Sequence, residues 1–268
     1  MSLSESDIET AARDLFEAER SRTQIEHLSQ RHPALDMDGS YAIQAELVRQ
    51  KVAAGRKIIG WKIGLTSKAM QYALGIDIPD SGVLFDDMVF ENGSSVPKGH
   101  FIEPRMEAEI AFVLKKPLSG DDISAEDVID ATDYVAPAIE ILDTRILRVD
   151  PKTGATRKVF DTISDNAANA GIVLGDQRHS IEAFDLRWTG AIVSRNDEVE
   201  ETGLGAGVLD NPVLGIVWLA QRLAKYGQSI EAGQPILSGS FIRPVECPSG
   251  SRIKADFGKF GSVSVNFE

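Results

Sequence analysis

The spacing of apolar residues near the start of the chain is typical of amphipathic helices. Between residues 8 and 16 they recur at intervals of three and four, which predicts a helix over residues 6–29 that begins at a Ser6 cap. A second helix is predicted over residues 38–54, with Gly55 at its end. Each helix has one apolar face, so both are expected to pack on the rest of the protein.

Beyond Gly55 the pattern changes to short apolar runs separated by glycine, proline and aspartate, which is typical of β-rich structure. The strands predicted from these runs cover residues 58–65, 106–114, 135–142, 186–193, 233–241 and 262–265. Strands of this number, mixed with helices, indicate an α+β fold.

Helical spacing returns at residues 211–226, and Ser124 is placed to cap a further helix. A short helix is also predicted over residues 66–74. Residues 146–170 are polar and weakly periodic, so they are predicted to form a long loop, of the kind that tends to be functional.

The order of these elements divides the chain in two. We expect a small helical N-terminal region, residues 1–56, followed by one large domain, residues 57–268, built around a mixed β-sheet roll or barrel. No internal repeat or low-complexity segment is visible in the sequence.

Composition and charge exclude some classes of partner. The 268 residues are 43% hydrophobic and 26% charged, as in ordinary globular proteins. The net charge of -13 disfavours nonspecific binding to nucleic acid or to an anionic membrane, so neither partner is expected. An acidic substrate would have to be bound by local cations.

The sequence also bears on the compartment. Cys247 is the lone cysteine, which rules out an internal disulfide and fits a reducing environment. The first residues are polar and acidic, unlike a signal peptide, and no apolar run approaches the length of a membrane span. We therefore expect a cytoplasmic protein.

Two acids stand in an otherwise apolar run at residues 106–114. Because strand side chains alternate, Glu107 and Glu109 are predicted to share one face. Two carboxylates so close repel each other and are costly to bury, so a cation is expected between them. Glu140 repeats the setting in the run at residues 135–142. Three oxygen ligands without cysteine or histidine suit Mg²⁺ or Mn²⁺ rather than Zn²⁺. The alternative is a half-exposed strand whose outer face carries glutamates.

Two further polar residues are candidates for chemistry. Lys62 lies inside the apolar run at residues 58–65, where a lysine is unusual unless its ammonium faces a pocket or an acid. The alternative is a strand lysine that points to solvent. Asp80 lies in a predicted turn at residues 78–82, where aspartate is common for structural reasons. The polar segment at residues 160–170 could wrap a ligand or form nested turns.

Four segments occur in an order that resembles one family. They are residues 60–67, 104–111, 133–145 and 161–167. Together they are similar to the 2-hydroxydienoate hydratase and 4-oxalocrotonate decarboxylase group of the fumarylacetoacetate hydrolase superfamily. The resemblance covers nearly the whole chain. Extra residues between the Asp and the Asp-Asn pair of the last segment mark the decarboxylase branch, and their absence here favours a hydratase.

The resemblance implies a fold, a cofactor and an assembly. The fold is a mixed β-sheet roll of the fumarylacetoacetate hydrolase C-terminal-domain type with a small helical N-terminal part. The cofactor is Mg²⁺, with Mn²⁺ possible, held by Glu107, Glu109 and Glu140. The protein is expected to form a homo-oligomer built from dimers, up to a decamer.

The resemblance also implies a substrate, a small 2-oxo dicarboxylate. Its C1 carboxylate and C2 oxygen would chelate the metal ion while water adds at C4, and Lys62 and Asp80 are the candidates for acid–base catalysis. The candidate substrate-binding residues are Thr66, Ser67, Arg145, Lys158, Asp161 and Asp165. The candidate partners of the distal carboxylate are Arg145, Arg157, Lys158 and Arg243.

Other functions stay open at this point. A 4-oxalocrotonate-type decarboxylase would use the same chelate, and a 2-hydroxypenta-2,4-dienoate hydratase would act on a shorter acid. A carbon–carbon bond hydrolase is less expected, because no His-Glu pair that could activate water is apparent. A non-catalytic partner subunit would have no need of three inward-facing acids.

Overall fold

The computed structural model describes residues 3–68, 71–72 and 76–268. Its helices are α1 (Glu5–Ser21), α2 (Leu28–Arg31), α3 (Met37–Ala53), α4 (Ala125–Ala131), α5 (Val159–Ser164) and α6 (Pro212–Ala224). None of the helices in these residues has the length and hydropathy needed to span a bilayer.

The strands form two sheets. They are β1 (Ile58–Gly64), β2 (Asp80–Phe85), β3 (Val89–Phe90), β4 (Ser95–Val96), β5 (Arg105–Leu114), β6 (Thr132–Leu142), β7 (Asn169–Leu174), β8 (Gly190–Arg195), β9 (Glu198–Leu204), β10 (Pro235–Leu237), β11 (Val245–Glu246), β12 (Arg252–Asp256) and β13 (Ser262–Phe267). The larger sheet has the order β2-β1-β10-β5-β6-β7-β3, with β11 also paired to β5. The smaller sheet has the order β4-β13-β12-β8-β9.

Both sheets are mixed, which confirms the predicted α+β class. Strand β1 runs parallel to β10, β3 to β7 and β4 to β13, whereas the other paired strands are antiparallel. The long strands β5 and β6 lie at the centre of the larger sheet and are buried over most of their length. Residues at the centre of a sheet have neighbours on both sides, which suits them to hold a site rigidly.

The main apolar core joins the two sheets and one face of α6. It includes Phe112 of β5, Ile139 of β6, Ile216 of α6 and Val265 of β13, all of which are buried. A smaller apolar cluster joins α1, α2 and α3, and Ile146, which follows β6 in the chain, also contributes to it. The N-terminal helices therefore pack on the chain that follows β6, as their amphipathic pattern predicted.

Helix α1 starts earlier and ends earlier than predicted. Ser4 is its cap, and the Ser4 hydroxyl accepts from Asp7 N at 3.2 Å in a complete capping box. Ser4 and Ser6 both precede acids at suitable spacing, so the sequence offered two caps. The helix ends because Arg22 adopts a left-handed backbone conformation with φ 55°.

The predicted long loop at residues 146–170 is wrong in its second half, which contains α5 and the start of β7. The buried side chains of Asp161, Asp165, Asn166 and Asn169 are hydrogen-bonded to other parts of the protein, so polarity there did not indicate exposure. The predicted strand at residues 186–193 begins later, at Gly190, and the one at residues 233–241 is shortened to β10. The predicted helix over residues 66–74 lies partly outside the described residues.

Candidate functional site

The antiparallel pairing of β5 with β6 brings three glutamates together. The register places Glu107 directly opposite Glu140, and alternation along β5 puts Glu109 on the same face. One carboxylate oxygen from each lies within 4.8 Å of the other two. Like charges directly opposite each other destabilise a strand pair, so this arrangement needs compensation.

Several donors compensate part of this charge. Lys62 Nζ lies 3.2 Å from Glu140 Oε1, and Asn169 Nδ2 donates to the same oxygen at 2.7 Å. The backbone N–H of Gly239 donates to Glu109 Oε2 at 2.7 Å. The other oxygens of the two buried acids, Glu109 Oε1 and Glu140 Oε2, have no hydrogen-bond partner. Unpartnered buried carboxylate oxygens are rare, and oxygen ligands are those preferred by hard divalent cations. The site therefore fits a divalent metal ion.

The ionisation of these groups reflects their crowding. Burial and the charge of Glu140 raise the pKa of Glu107 to about 8, and the same two causes raise the pKa of Glu109 well above its usual range. Burial alone would lower the pKa of Lys62, but the carboxylates around it, Glu140 first, raise it. Without a divalent ion, this crowding favours the protonated forms of Glu107 and Glu109 and the charged form of Lys62.

Metal affinity is expected to increase with pH. Because the pKa of Glu107 is raised to about 8 and that of Glu109 well above its usual range, metal binding must displace protons, and the affinity for Mg²⁺ should rise as the pH increases to 8, by up to about tenfold per pH unit for each proton displaced. The same shift makes the metal-free protein less stable as the pH rises from the usual value of 4.5 to about 8. Calorimetric titrations with Mg²⁺ at several pH values, in buffers of different ionisation enthalpy, measure both affinity and released protons. A pH-independent affinity would contradict this prediction.

Lys62 and Asp80 lie on neighbouring antiparallel strands, and both line one cavity with Glu107. Asp80 is the first residue of β2 rather than part of a turn, and burial raises its pKa. Its Oδ1 is buried without a hydrogen-bond partner. The opposite residue is Gly64, where a Cβ would come within 2.2 Å of that oxygen. Only glycine at this position leaves room for the carboxylate.

Helix α3 and the loop after α5 hold the strand that carries Asp80. Gln44 Nε2 donates to the carbonyl of Ser81 at 2.9 Å, and the Tyr41 hydroxyl accepts from Ser81 N at 3.3 Å. Asn166 accepts from Val83 N at 2.8 Å and donates to Val83 O at 2.9 Å. Thus the N-terminal region, although it supplies no metal ligand among the described residues, fixes the position of an acid in the cavity.

The cavity has a volume of about 590 Å³, enough for a small organic acid. Besides Lys62, Asp80 and Glu107, it is lined by the predicted residues Thr66, Ser67 and Lys158. The wall also contains Arg105, Arg157, Glu201, Thr202, Phe241, Ile242 and Arg243.

Three of the predicted substrate-binding residues are not brought to this cavity. Asp161 accepts from the backbone and hydroxyl of Ser29 at 2.8 and 2.7 Å, and so joins α5 to α2. Arg145 Nε donates to Asp165 Oδ1 at 2.5 Å, and both residues are buried. Their side chains are occupied by protein partners, so their position indicates a structural role.

Loss of the Asp165 carboxylate is expected to destabilise the fold. Asp165→Ala leaves the buried Arg145 without its ion pair, which should lower the free energy of unfolding by about 3–5 kcal/mol. Urea denaturation measures this change. Asp197→Ala removes an exposed ion pair to Arg252 and should have little effect. An Asp165 variant as stable as the wild type would mean that the pair is not structural.

Two contributors to the site were not predicted from the sequence. Asn169 donates a hydrogen bond to Glu140. The sequence indicated a polar segment at residues 160–170, but only its acids, Asp161 and Asp165, were predicted to bind the substrate. Gly239 donates its backbone N–H to Glu109. Its φ of 116° favours glycine, and a Cβ there would also meet Thr66 Oγ1 at 2.5 Å. The run of small residues at 238–240 was its only sequence signal.

Comparison with known proteins found relatives over nearly the full length of the chain. A protein from Escherichia coli, 2-oxo-hept-4-ene-1,7-dioate hydratase, is 51% identical over 256 residues, which are 96% of this chain and 96% of the relative. The 2-keto-4-pentenoate hydratase of Paraburkholderia xenovorans is 37% identical over 97% of this chain and 94% of its own length. No family model matches the chain.

Solved structures agree with these relatives. The 4-oxalocrotonate decarboxylase of Pseudomonas putida, complexed with magnesium and adipate, has a TM-score of 0.93 at 33% identity and covers 100% of this chain and 99% of its own. Fumarylacetoacetate hydrolase family proteins match at lower identity. A yeast member has a TM-score of 0.53 at 18% identity over 78% of this chain and 91% of its own, which shows the fold alone. This similarity confirms the predicted fold type.

Proposed function

This chain belongs to the 2-hydroxydienoate hydratase and 4-oxalocrotonate decarboxylase family of the fumarylacetoacetate hydrolase superfamily, and we propose that it is a Mg²⁺-dependent hydro-lyase acting on 2-oxohept-3-ene-1,7-dioate. The enol form of this substrate is 2-hydroxyhepta-2,4-diene-1,7-dioate, and the product is 4-hydroxy-2-oxoheptane-1,7-dioate. The reaction would belong to the meta-cleavage catabolism of homoprotocatechuate.

The observation that carries the proposal is the cluster of Glu107, Glu109 and Glu140 beside Lys62. The unpartnered oxygens of the two buried acids favour an ion with oxygen ligands. These three residues would hold Mg²⁺, with Mn²⁺ as the alternative. When bound, the ion would act as a Lewis acid toward the C1 carboxylate and C2 oxygen of the substrate.

Asp80 and Lys62 are assigned different roles in the reaction. Conversion of the enol to the 2-oxo-3-ene form moves a proton from the C2 hydroxyl to C5. Hydration then forms a bond from water oxygen to C4, removes one proton from that water and adds one to C3. Asp80 has a raised pKa and an oxygen free to accept, so we assign it the proton from water. Lys62 retains its charge and would offset the negative charge that develops on the substrate.

Two other activities use much of the same site. A decarboxylase of a 2-oxo dicarboxylate is supported by the structural similarity to 4-oxalocrotonate decarboxylase, but the relative with 51% identity is a hydratase. A 2-hydroxypenta-2,4-dienoate hydratase is supported by the relative with 37% identity. We also propose that the protein is a homo-oligomer built from dimers, up to a decamer, which light scattering of the purified protein would test.

Mass spectrometry of the product tests the function directly. The protein, with Mg²⁺ and separately with EDTA, would be given 2-hydroxyhepta-2,4-diene-1,7-dioate and, in parallel, 2-oxohex-3-ene-1,6-dioate. We expect a metal-dependent gain of one water by the seven-carbon acid. Loss of carbon dioxide from the six-carbon acid would instead identify a decarboxylase. If neither reaction occurs in the presence of Mg²⁺, both activities are refuted.

A further inference from the structure

The cavity wall carries four cationic side chains beyond Lys62, and two of them already have a carboxylate partner. Arg105 Nη2 lies 2.6 Å from Glu246 Oε1, and Arg243 Nη2 lies 2.5 Å from Glu201 Oε1. The Arg243 side chain is also 81% exposed, so an anion bound there would be screened by water and salt. Neither arginine offers an unpaired buried charge to a substrate.

Arg157 differs from these residues. It is half-buried, and its Nη1 donates to the Thr144 hydroxyl. Among the residues that the structure describes, no carboxylate oxygen lies within 4.0 Å of its side-chain nitrogens. A guanidinium has five N–H donors and can bind a carboxylate in a bidentate manner. Since one donor of Arg157 bonds Thr144, the others are available to a ligand. Burial lowers the pKa of Arg157, although the negative charge of Asp165 opposes this effect. The negative charge around the guanidinium is therefore too small to offset its burial.

The guanidinium is held in place by the segment that follows strand β6. The Thr144 hydroxyl also donates to the carbonyl of Ile146 at 2.6 Å, just beyond the end of β6, the strand that carries Glu140. The backbone N–H of Arg157 donates to Arg148 O at 3.0 Å, which closes the hairpin between them. A cation fixed in this way loses little freedom when it binds an anion.

We propose that Arg157 binds the carboxylate at the far end of the substrate chain and so selects dicarboxylic over monocarboxylic 2-hydroxydienoates. The inference rests on the proposed function, since it assigns the end of the substrate that the metal site does not hold. A local cation is needed because the chain as a whole carries a net charge of -13. The adjacent Lys158 is exposed, and a carboxylate bound there would gain less because water and salt screen the charge.

Substrate selection in Arg157→Gln tests the assignment. For 2-hydroxyhepta-2,4-diene-1,7-dioate, kcat/KM should fall by about 30- to 10³-fold, as expected when one partner of a partly buried charge pair is removed. For 2-hydroxypenta-2,4-dienoate, which lacks the second carboxylate, it should change less than about threefold, and this activity also reports correct folding. Arg157→Lys should restore part of the loss, because it keeps the charge but not the bidentate geometry.

Binding of unreactive ligands gives a readout that does not depend on turnover. In the presence of Mg²⁺, calorimetry would compare 2-oxoheptanedioate with 2-oxoheptanoate, which differ only in the far carboxylate. The wild type should prefer the dicarboxylate, and Arg157→Gln should lose that preference. Arg252→Gln, an exposed arginine on β12 outside the cavity, is the matched control and should keep it.

The outcomes separate this inference from the proposed function. If the wild type hydrates neither acid, the proposed function fails, while the binding comparison still decides the role of Arg157. Equal losses for both acids in Arg157→Gln would overturn the inference, because the side chain would then act on the site as a whole. A selective loss in Lys158→Gln with none in Arg157→Gln would also overturn it.

Discussion

Replacing Glu140 by glutamine is expected to lower the metal-dependent activity by at least about 10³-fold, because Lewis-acid stabilisation is worth several kcal/mol and each 1.4 kcal/mol is about tenfold. Glu140 contacts several groups of the site. It faces Glu107 across the strand pair, and its Oε1 is shared by Lys62 and Asn169. Glutamine has nearly the same shape, but it replaces an anionic oxygen by an amide. Steady-state rates at saturating Mg²⁺ measure the loss.

The position of Glu140 makes a matched control necessary, since a buried substitution can also act through folding. Glu198→Gln changes an exposed glutamate on β9 and should leave both activity and melting temperature unchanged. Mg²⁺ should raise the melting temperature of the wild type and of Glu198→Gln, but not that of Glu140→Gln. A folded Glu140→Gln protein with full activity would remove Glu140 from the metal site.

Replacing Lys62 by methionine is expected to separate metal binding from turnover. The ammonium lies 3.2 Å from Glu140 Oε1 and is not itself a ligand, so its loss removes a repulsion toward a bound cation. Affinity for Mg²⁺ should therefore be retained or increased. Activity should fall by about 10²- to 10⁴-fold, the usual contribution of a positioned group that acts on charge or protons in the transition state.

The control for this variant is Lys57→Met, an exposed lysine just before the same strand, which should affect neither quantity. Calorimetric titration with Mg²⁺ and measurement of kcat on the same preparations give both readouts. Metal affinity and activity lost in parallel would mean that Lys62 acts mainly by holding the glutamates in place. Retained activity would exclude it from the chemistry.

The central part of the site could be predicted from the sequence because it follows the period of a strand. Glu107 and Glu109 are two residues apart in an apolar run, and the structure places them on one face as expected. Lys62 could be singled out because a lysine between apolar strand residues needs an anionic partner, and Glu140 lies beside it. In both cases a polar group stands out against an apolar background.

The segment at residues 146–170 could not be resolved in the same way. Its polar residues include structural groups, such as Asp161 and Asp165, and residues that line the cavity, such as Arg157 and Lys158. A sequence shows that such a side chain needs a partner, but not whether that partner is another side chain or a ligand. Only the tertiary contacts, such as that between Arg145 and Asp165, distinguish the two.

The roles of two glycines could not be predicted from the sequence for a similar reason. Gly64 leaves room for the Asp80 carboxylate, and Gly239 presents its N–H to Glu109 in a conformation that favours glycine. Each depends on a neighbour that is distant in sequence, so local patterns could not assign its role. The division of the chain at residue 56 stays a prediction, although Gln44 already links the helical region to β2.

The groups that contact the three glutamates of the proposed metal site come from parts of the chain that are far apart in sequence. Glu109 and Gly239, for example, bond across 130 positions. Contacts of such separation are slow to form, and an unfolded chain holds no assembled trio of carboxylates. A divalent ion held by these glutamates would bind only the assembled site, so we expect it to slow unfolding rather than to speed folding. Scarcity of the ion would shorten the lifetime of each molecule without changing how fast new molecules mature.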